Sequence, residues 1–500
     1  MPKLGLQDLL IIGGGINGVG IARDAAGRGL AVTLCEQGDL GGATSSASSK
    51  LIHGGLRYLE QFEFRLVREA LGEREVLLAM APHVVRPQRF YLPHVAHLRP
   101  AWFIRLGLFF YDHLARRTSL PGCQSIDLTK HEVGDPLRSS LVKGFAYSDC
   151  RVDDSRLVVL NAVSAAEQGA EILVRTRCAE VFAEGGFWRA RLLDEDGVER
   201  LVEARVLINA TGPWAGGFLR HTLGLENAKP LRLVKGSHIV VAKLFDHAGA
   251  YIFQHEDGRV IFAIPFEDDF TLIGTTDSDY RGDPAEARAS AEEIDYLCRA
   301  LGDYLGSGIH PADVVWSFAG VRPLYGDGDA ASLSRDYRLE LEAQQFEAPL
   351  LSVIGGKITT YRRLAEEVLE LLKPHIAMDR TAWTAGQPLP GGDLGATGLE
   401  GLCKRLRQGY PWLDEALANR LSRAYGSRAE LVLEDARDIA DLGQDFGAGL
   451  YEREVAYLMA HEWARTADDV LWRRSKLGLR LTQDQCQRLA DWMAGGGVAA

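Results

Sequence analysis

What this 500-residue chain lacks first is paired cysteine. Its seven cysteines, Cys35, Cys123, Cys150, Cys178, Cys298, Cys403 and Cys486, form no C-x-x-C pair, and their number is odd. That spacing argues against a disulfide framework, a zinc ribbon, a cysteine-held iron–sulfur cluster and a c-type haem, so no metal site is expected. Long apolar runs are missing as well: none approaches the roughly 18 residues of a membrane-spanning helix. Positive charge is not in excess, because 56 Lys and Arg face 68 Asp and Glu, for a formal net charge of −12. A nucleic-acid partner is therefore not expected, and an anionic ligand would need a local cluster of cations. Met1-Pro2-Lys3-Leu4-Gly5 leads straight into a strand pattern without the features of a signal peptide. The expectation is a protein of a reducing compartment, soluble or resting on a membrane surface. Repeats and low-complexity tracts are also missing. What remains, 46% hydrophobic and 25% charged residues, is a globular composition, and the length suits two or three domains.

The chain opens on the apolar run Leu9–Ile12, the turn Gly13-Gly14-Gly15-Ile16-Asn17-Gly18, a helical stretch to Gly29 and a second strand, Ala31–Glu36. This is a βαβ unit. Apolar residues at 66, 67, 70, 71, 77 and 78 predict an amphipathic helix ended by Pro82. Residues 83–145 show no clean period. A helix is expected over 155–169, strands over 171–208 and 237–280, and one helix over 285–305. A strand at 350–354 should run through Gly355-Gly356-Lys357 into a helix to about Leu372. Gln387–Gly392 reads as the best linker in the chain. Beyond it everything reads helical, with Thr482 and Gln485 as a capping box.

A lone G-x-G-x-x-G is a weak signal, but here its strand-turn-helix setting strengthens it. Gly13 permits the tight turn, Gly15 lets the backbone approach a pyrophosphate, and Gly18 lets the helix pack on the strand. The helix N-terminus offers N–H groups to the phosphate. Glu36, ending the next strand, is placed to accept from a ribose. Ala210-Thr211-Gly212 at a strand end resembles the second element of two-dinucleotide-binding flavoproteins. The strand-Gly-Gly-helix at 352–360 resembles the segment beside the isoalloxazine. Their order along the chain matches the α/β, glutathione-reductase-type FAD fold.

Longer motifs narrow this further. Ile12–Asp24 with Arg28-Gly29, and Gly355–Ala365, resemble the two signatures of FAD-dependent glycerol-3-phosphate dehydrogenases. Thr44–Tyr58, Gly320–Leu324 and Asp469–Arg474 resemble stretches of the aerobic, quinone-linked bacterial enzymes. The resemblance implies a discontinuous FAD-binding domain (1–80, 146–236 and 310–374), an antiparallel β-sheet substrate domain (81–145 and 237–309) and a C-terminal all-α cap (388–500). It implies oxidation of sn-glycerol 3-phosphate to dihydroxyacetone phosphate, electrons passed to a membrane quinone, a homodimer, and a peripheral place on the cytoplasmic face of the inner membrane. It also implies FAD contacts from Asn17, Thr44, Ser45, Ser49, Lys50, Ala210, Gly212, Gly356, Ile358 and Thr359.

Oxidising a secondary alcohol needs an acceptor for the hydroxyl proton and cations for the phosphate. Basic residues inside Gly-rich, apolar motifs of an acidic chain are therefore informative. By resemblance Arg322 and Lys357 flank the substrate, and Arg57 and Arg335 help bind it. Tyr58 and Thr275 are candidate hydroxyl partners. His53, His238 and Lys357 are candidates for the base. Trp102–Tyr111, flanked by Arg99 and Arg116-Arg117, has the composition of a membrane-interface segment, and the helix carrying Arg362, Arg363 and Lys373 is a second candidate. Three alternatives stay open: a glycerol-3-phosphate oxidase using oxygen, an amine or amino-acid oxidase on the same scaffold, and a non-catalytic FAD-binding protein.

Overall fold

Two sheets and a helical domain organise the chain. The computed structural model describes residues 5–59, 62–115, 119–225, 231–326, 336–343 and 346–495, the side chain of Arg57 excepted. The first sheet runs β17 (Arg338–Glu342), β18 (Leu350–Ile354), β10 (Glu199–Asn209), β1 (Gln7–Ile12), β2 (Val32–Glu36) and β7 (Glu171–Val174). From β18 to β7 the strands are parallel. The edge strand β17 is antiparallel, as is the hairpin of β8 (Thr176–Glu184) and β9 (Phe187–Asp194) that joins through β10. Leu9 and Ile11 pack with α1 (Ile16–Gly27), α4 (Asp154–Glu167) and the helix Tyr361–Leu372, while Leu10 and Ile12 pack with Trp188 and Phe218. Burial on both faces is why Leu9–Ile12 is an unbroken apolar run.

The second sheet runs β15 (Ser278–Tyr280), β11 (Arg232–Ala242), β14 (Phe270–Gly274), β13 (Val260–Phe266), β12 (Ala250–Gln254), β4 (Val85–Pro93), β6 (Lys143–Val152) and β3 (Leu51–Ile52). The strand β16 (Val314–Leu324) pairs with β11, and β5 (Gln124–Asp127) pairs with β6. It is antiparallel except where β12 meets β4. Residues 146–152, 232–236 and 314–324, grouped above with the FAD-binding segments, supply strands to this second sheet. Residues 83–145 are not irregular: they form β4, α3 (Ala101–His113) and β5. The helix expected over 285–305 is shorter, Ala291–Gly302, because Ser290 and Glu293 cap it with a reciprocal capping box.

The C-terminal domain is built from the helices Gly398–Gly409, Glu415–Tyr425, Ala429–Leu433, Glu452–His461 and Gln483–Ala494 around Leu406, Leu421, Tyr425 and Leu458. The capping box at Thr482 and Gln485 is present. The domain is not wholly helical, since Asp445–Gly447 pairs with Leu450–Tyr451. Nor is Gln387–Gly392 a free linker. Leu389 is buried and its N–H donates to Met80 O at 2.9 Å, Arg23 Nη2 donates to Gln387 O at 3.1 Å, and Ser427 N donates to Gly391 O at 3.1 Å. Gly and Pro there serve close packing. Charged groups fasten the same seam: Arg156 to Glu462, Arg474 and Arg473 to Asp39, and Lys476 to Asp153.

His83 lies in this seam, fully buried, with no hydrogen-bond partner on either ring nitrogen. Burial, with the nearby Arg156 charge, pushes its pKa down from 6.5 to about 3. The unfolded imidazole takes a proton below about pH 6.5 that the folded one refuses, so its contribution is complete above that pH and is lost as pH falls toward 3. By pH 5 the loss reaches about 2 kcal/mol, at 1.36 kcal/mol per unit. His83→Leu is expected to remove this part of the acid sensitivity, read as the urea midpoint at pH 7.5 and pH 5. Identical pH dependence in both proteins would count against it.

Candidate active site

β1 ends at Ile12 and α1 begins at Ile16, so the chain reverses in three glycines. Gly13 has φ +114°, and a Cβ built on it would lie 2.5 Å from Ala210 O. A Cβ on Gly18 would lie 1.9 Å from Gly13 O. The turn, α1 and the end of β10 can meet only because these side chains are absent. Gly15 is the N-cap of α1 and offers no side chain, and the Ile16 N–H donates to Ser45 Oγ at 3.0 Å. Glu36 accepts from Gly14 N at 2.7 Å and from Gly38 N at 2.8 Å. Burial raises its pKa against the lowering effect of those two donors. The loop after Glu36 is also held from the far side, where Asp39 Oδ1 accepts from Arg474 Nη2 at 2.9 Å.

The second and third elements close on this turn. Ala210 N donates to Ile12 O at 2.9 Å, and Gly212 follows with φ +58°. Asn17 Nδ2 donates to Gly355 O at 3.1 Å, while its Oδ1 is buried with no hydrogen-bond partner. Gly356 has φ +101°, and Ile358–Thr360 forms a tight helical turn with Thr359 buried. A glycine cradle, a helix N-terminus and a buried acceptor without a donor fit a dinucleotide such as FAD.

The segment 44–50 bridges the turn to the second sheet. Thr44 Oγ1 donates to Val321 O at 2.6 Å, and Ser49 Oγ shares a 2.9 Å hydrogen bond with His238 Nε2. Lys50, a candidate cofactor contact, turns its side chain inward. Its ammonium is buried against Asp154 Oδ1 at 2.7 Å and Ser46 O at 3.0 Å, so its side chain is committed to an internal ion pair.

On β16, opposite Val234, Arg322 places Nη1 2.7 Å from Asp277 Oδ1. A Cβ built on Gly236 would lie 2.7 Å from Thr275 Oγ1 and 2.8 Å from Arg322 Nη2, so these two groups converge above that glycine. Lys357 holds its ammonium 3.7 Å from the centroid of the Tyr58 ring. His53 N donates to Thr359 Oγ1 at 3.3 Å, which ties it to the turn after Lys357. His238 is buried and stacked on Phe318 at 4.9 Å. Burial, then the charges of Arg322 and Lys50, hold its pKa well below the usual range. Arg335 and the side chain of Arg57 lie outside the described residues. Among the described residues no group of His, Cys, Asp or Glu could hold a metal ion.

Several contributors were not read from the sequence. Asp277, the partner of Arg322, lies 45 residues away in the chain. Gly236 and Gly320 stand opposite each other in β11 and β16, and a Cβ on Gly320 would lie 2.9 Å from Ala47 O. The bare Gly320 lets segment 44–50 lie against the sheet, while the bare Gly236 leaves room for Thr275 and Arg322. An isolated glycine inside a strand pattern was the available signal. The second candidate membrane helix is corrected: Arg362 is buried between Glu73 and Glu366, and Arg363 pairs with Glu366.

Known proteins resemble this chain in sequence and in fold. The family model for FAD-dependent oxidoreductases matches residues 8–362, and the model for the C-terminal domain of alpha-glycerophosphate oxidase matches residues 382–495. The chain is 53% identical over 494 residues to a glycerol-3-phosphate dehydrogenase of Pseudomonas aeruginosa, covering 98% of this chain and 96% of the relative. It is 48% identical over 496 residues to a D-erythritol 1-phosphate dehydrogenase of Brucella abortus, covering 99% of each. The crystal structure of a glycerol-3-phosphate dehydrogenase from Bacillus halodurans complexed with FAD aligns with a TM-score of 0.76 at 27% identity, covering 98% of this chain and 94% of that one.

Proposed function

Because the chain belongs to the FAD-dependent oxidoreductases, in the group of the glycerol-3-phosphate dehydrogenases, we propose that it oxidises sn-glycerol 3-phosphate to dihydroxyacetone phosphate and passes the electrons to a membrane quinone. Bound FAD supplies the hydride acceptor. The observation that carries the reading is the convergence of Arg322 Nη2 and Thr275 Oγ1 above Gly236, beside the sheet edge that segment 44–50 joins to the Gly-rich turn. A guanidinium and a hydroxyl at one spot suit a phosphate ester that also carries an alcohol. Lys357, over the Tyr58 ring, adds a second cation. The proton acceptor is one of His53, His238 and Lys357. Burial and the nearby Arg322 and Lys50 charges hold His238 neutral, and the same effects disfavour the imidazolium it would become on accepting a proton.

Anaerobic addition of glycerol 3-phosphate to the purified flavoprotein is expected to bleach the flavin absorption band. Retention of the band would sink the assignment. The same titration with D-erythritol 1-phosphate tests the second reading, a longer polyol phosphate, which the similarity to the Brucella abortus enzyme favours. Faster bleaching by that compound would move the assignment to it. Quinone-dependent against oxygen-dependent turnover separates the dehydrogenase from an oxidase.

No helix among the described residues is long and apolar enough to cross a membrane, so access to a quinone needs a surface contact. We assign that contact to α3, whose Trp102, Phe103, Leu106, Phe109 and Phe110 are all exposed, Trp102 to 69%. Such a cluster on one helix, with Arg99 and Arg105 in the same segment, has the character of an interfacial helix. Arg116 and Arg117 lie outside the described residues. The protein is expected to float with anionic liposomes at low salt. Trp102→Ser with Phe109→Ser should return most of it to the free fraction, and flotation unchanged by those substitutions would exclude α3.

A further inference from the structure

The cations of the C-terminal seam form ion pairs with carboxylates, but two arginines beside it do not. Arg86 on β4 and Arg151 on β6 stand directly opposite each other in the antiparallel ladder. Side chains so placed start about 5 Å apart at Cβ, and like charges there repel. Neither makes a hydrogen bond or ion pair to any described residue, and the Nε of each is buried without a partner. Arg423, from the C-terminal helix Glu415–Tyr425, closes the group. Burial and the positive charges of Arg151 and Arg423 push the pKa of Arg86 down to about 10, and Arg151 is lowered by burial and Arg423.

The nearby acids do not balance this set. Asp268 pairs with Arg423 at 2.8 Å, Asp269 with Arg480 at 2.6 Å and Asp153 with Lys476 at 3.2 Å. Glu267, whose pKa burial raises, makes no side-chain ion pair. With those three pairs set aside, Arg86 and Arg151 face Glu267 alone, two positive charges against one negative. Unpaired charge in a seam is costly, and a mobile anion is the simplest way to lower that cost. Planar guanidinium forks match oxyanions in particular.

We propose that Arg86 and Arg151, closed by Arg423, form a binding site for a small oxyanion of the phosphate or sulfate class, at the seam between the second sheet and the C-terminal domain. Two of its cations come from the sheet and the third from the helical domain, so an occupant ties the two together. The site shares no residue with the Arg322 and Lys357 group.

The test uses the FAD-loaded full chain in buffer free of phosphate and sulfate, with ionic strength held by sodium chloride, and titrates inorganic phosphate while reading Tm and binding by equilibrium dialysis. Wild-type protein should be stabilised saturably. Arg151→Gln should bind phosphate at least about tenfold more weakly. Without phosphate it should be as stable as wild type or more so, because a repulsion is gone. Glu267→Gln removes the competing carboxylate and should tighten phosphate binding. Arg322→Met should keep the phosphate response, which separates this site from the substrate cations. An equal response in wild type and Arg151→Gln would overturn the proposal. So would loss of the response in Arg322→Met, or an Arg151→Gln protein less stable than wild type in phosphate-free buffer.

Discussion

Replacing Arg322 with Met lowers kcat/KM for glycerol 3-phosphate by about 10²- to 10³-fold while FAD stays bound; this is the expected result of removing one preorganised cation from a substrate site. The guanidinium is fixed twice, by the β16 register opposite Val234 and by the 2.7 Å bond to Asp277. It needs no reorganisation to meet an anion, which is what makes such a group effective. The split between constants identifies its partner. A rise in KM at constant kcat means Arg322 holds the phosphate in ground and transition state alike, and an equal fall in kcat and kcat/KM means it acts at the reacting centre. Arg322→Lys should recover only part of the activity, since a point charge cannot reproduce the fork. Stopped-flow flavin reduction is the direct measurement. A wild-type second-order rate of flavin reduction at substrate concentrations below KM in Arg322→Met would remove the residue from the site.

The second large effect concerns stability. Arg156 and Glu462 are almost completely buried and paired, with Nη2 to Oε1 at 2.9 Å, and Arg156 Nε also donates to Ala424 O at 3.2 Å. Arg156→Leu strands a carboxylate in the seam between α4 and the C-terminal domain. The expected cost is about 3–5 kcal/mol, the range for breaking a buried pair from one side. Arg156→Leu combined with Glu462→Leu should recover most of that loss, because no charge is then left uncompensated. Chemical denaturation of the two variants and wild type measures both values. A single variant within 1 kcal/mol of wild type would mean that water reaches Glu462.

The way these parts were legible differs residue by residue. Gly13, Gly18 and Glu36 could be read as a cofactor turn because their roles are local: each is set by neighbours within a βαβ unit of about 30 residues. Arg322 was marked by its odd setting, a cation in an apolar Gly-rich stretch, but its partner Asp277 was not, since strand pairing brought them together. Lys50 shows the opposite. Its motif suggested a cofactor contact, and the fold turned its ammonium onto Asp154, 104 residues away. The glycines of Gln387–Gly392 read as a linker because flexibility and close packing call for the same residues. Helix α3 gave no clean period because its large apolar residues face outward.

The FAD-binding scaffold, the order of its elements and the family resemblance were legible from the sequence, because they are properties of short-range pattern and composition. Only the tertiary structure decided which cations are available and which are spent. Arg156, Arg362, Arg474 and Lys50 are neutralised by buried carboxylates, whereas Arg86 and Arg151 face each other across a ladder. A charge looks the same in a sequence wherever it sits; its energy depends on burial and on partners set by chain crossings over hundreds of residues.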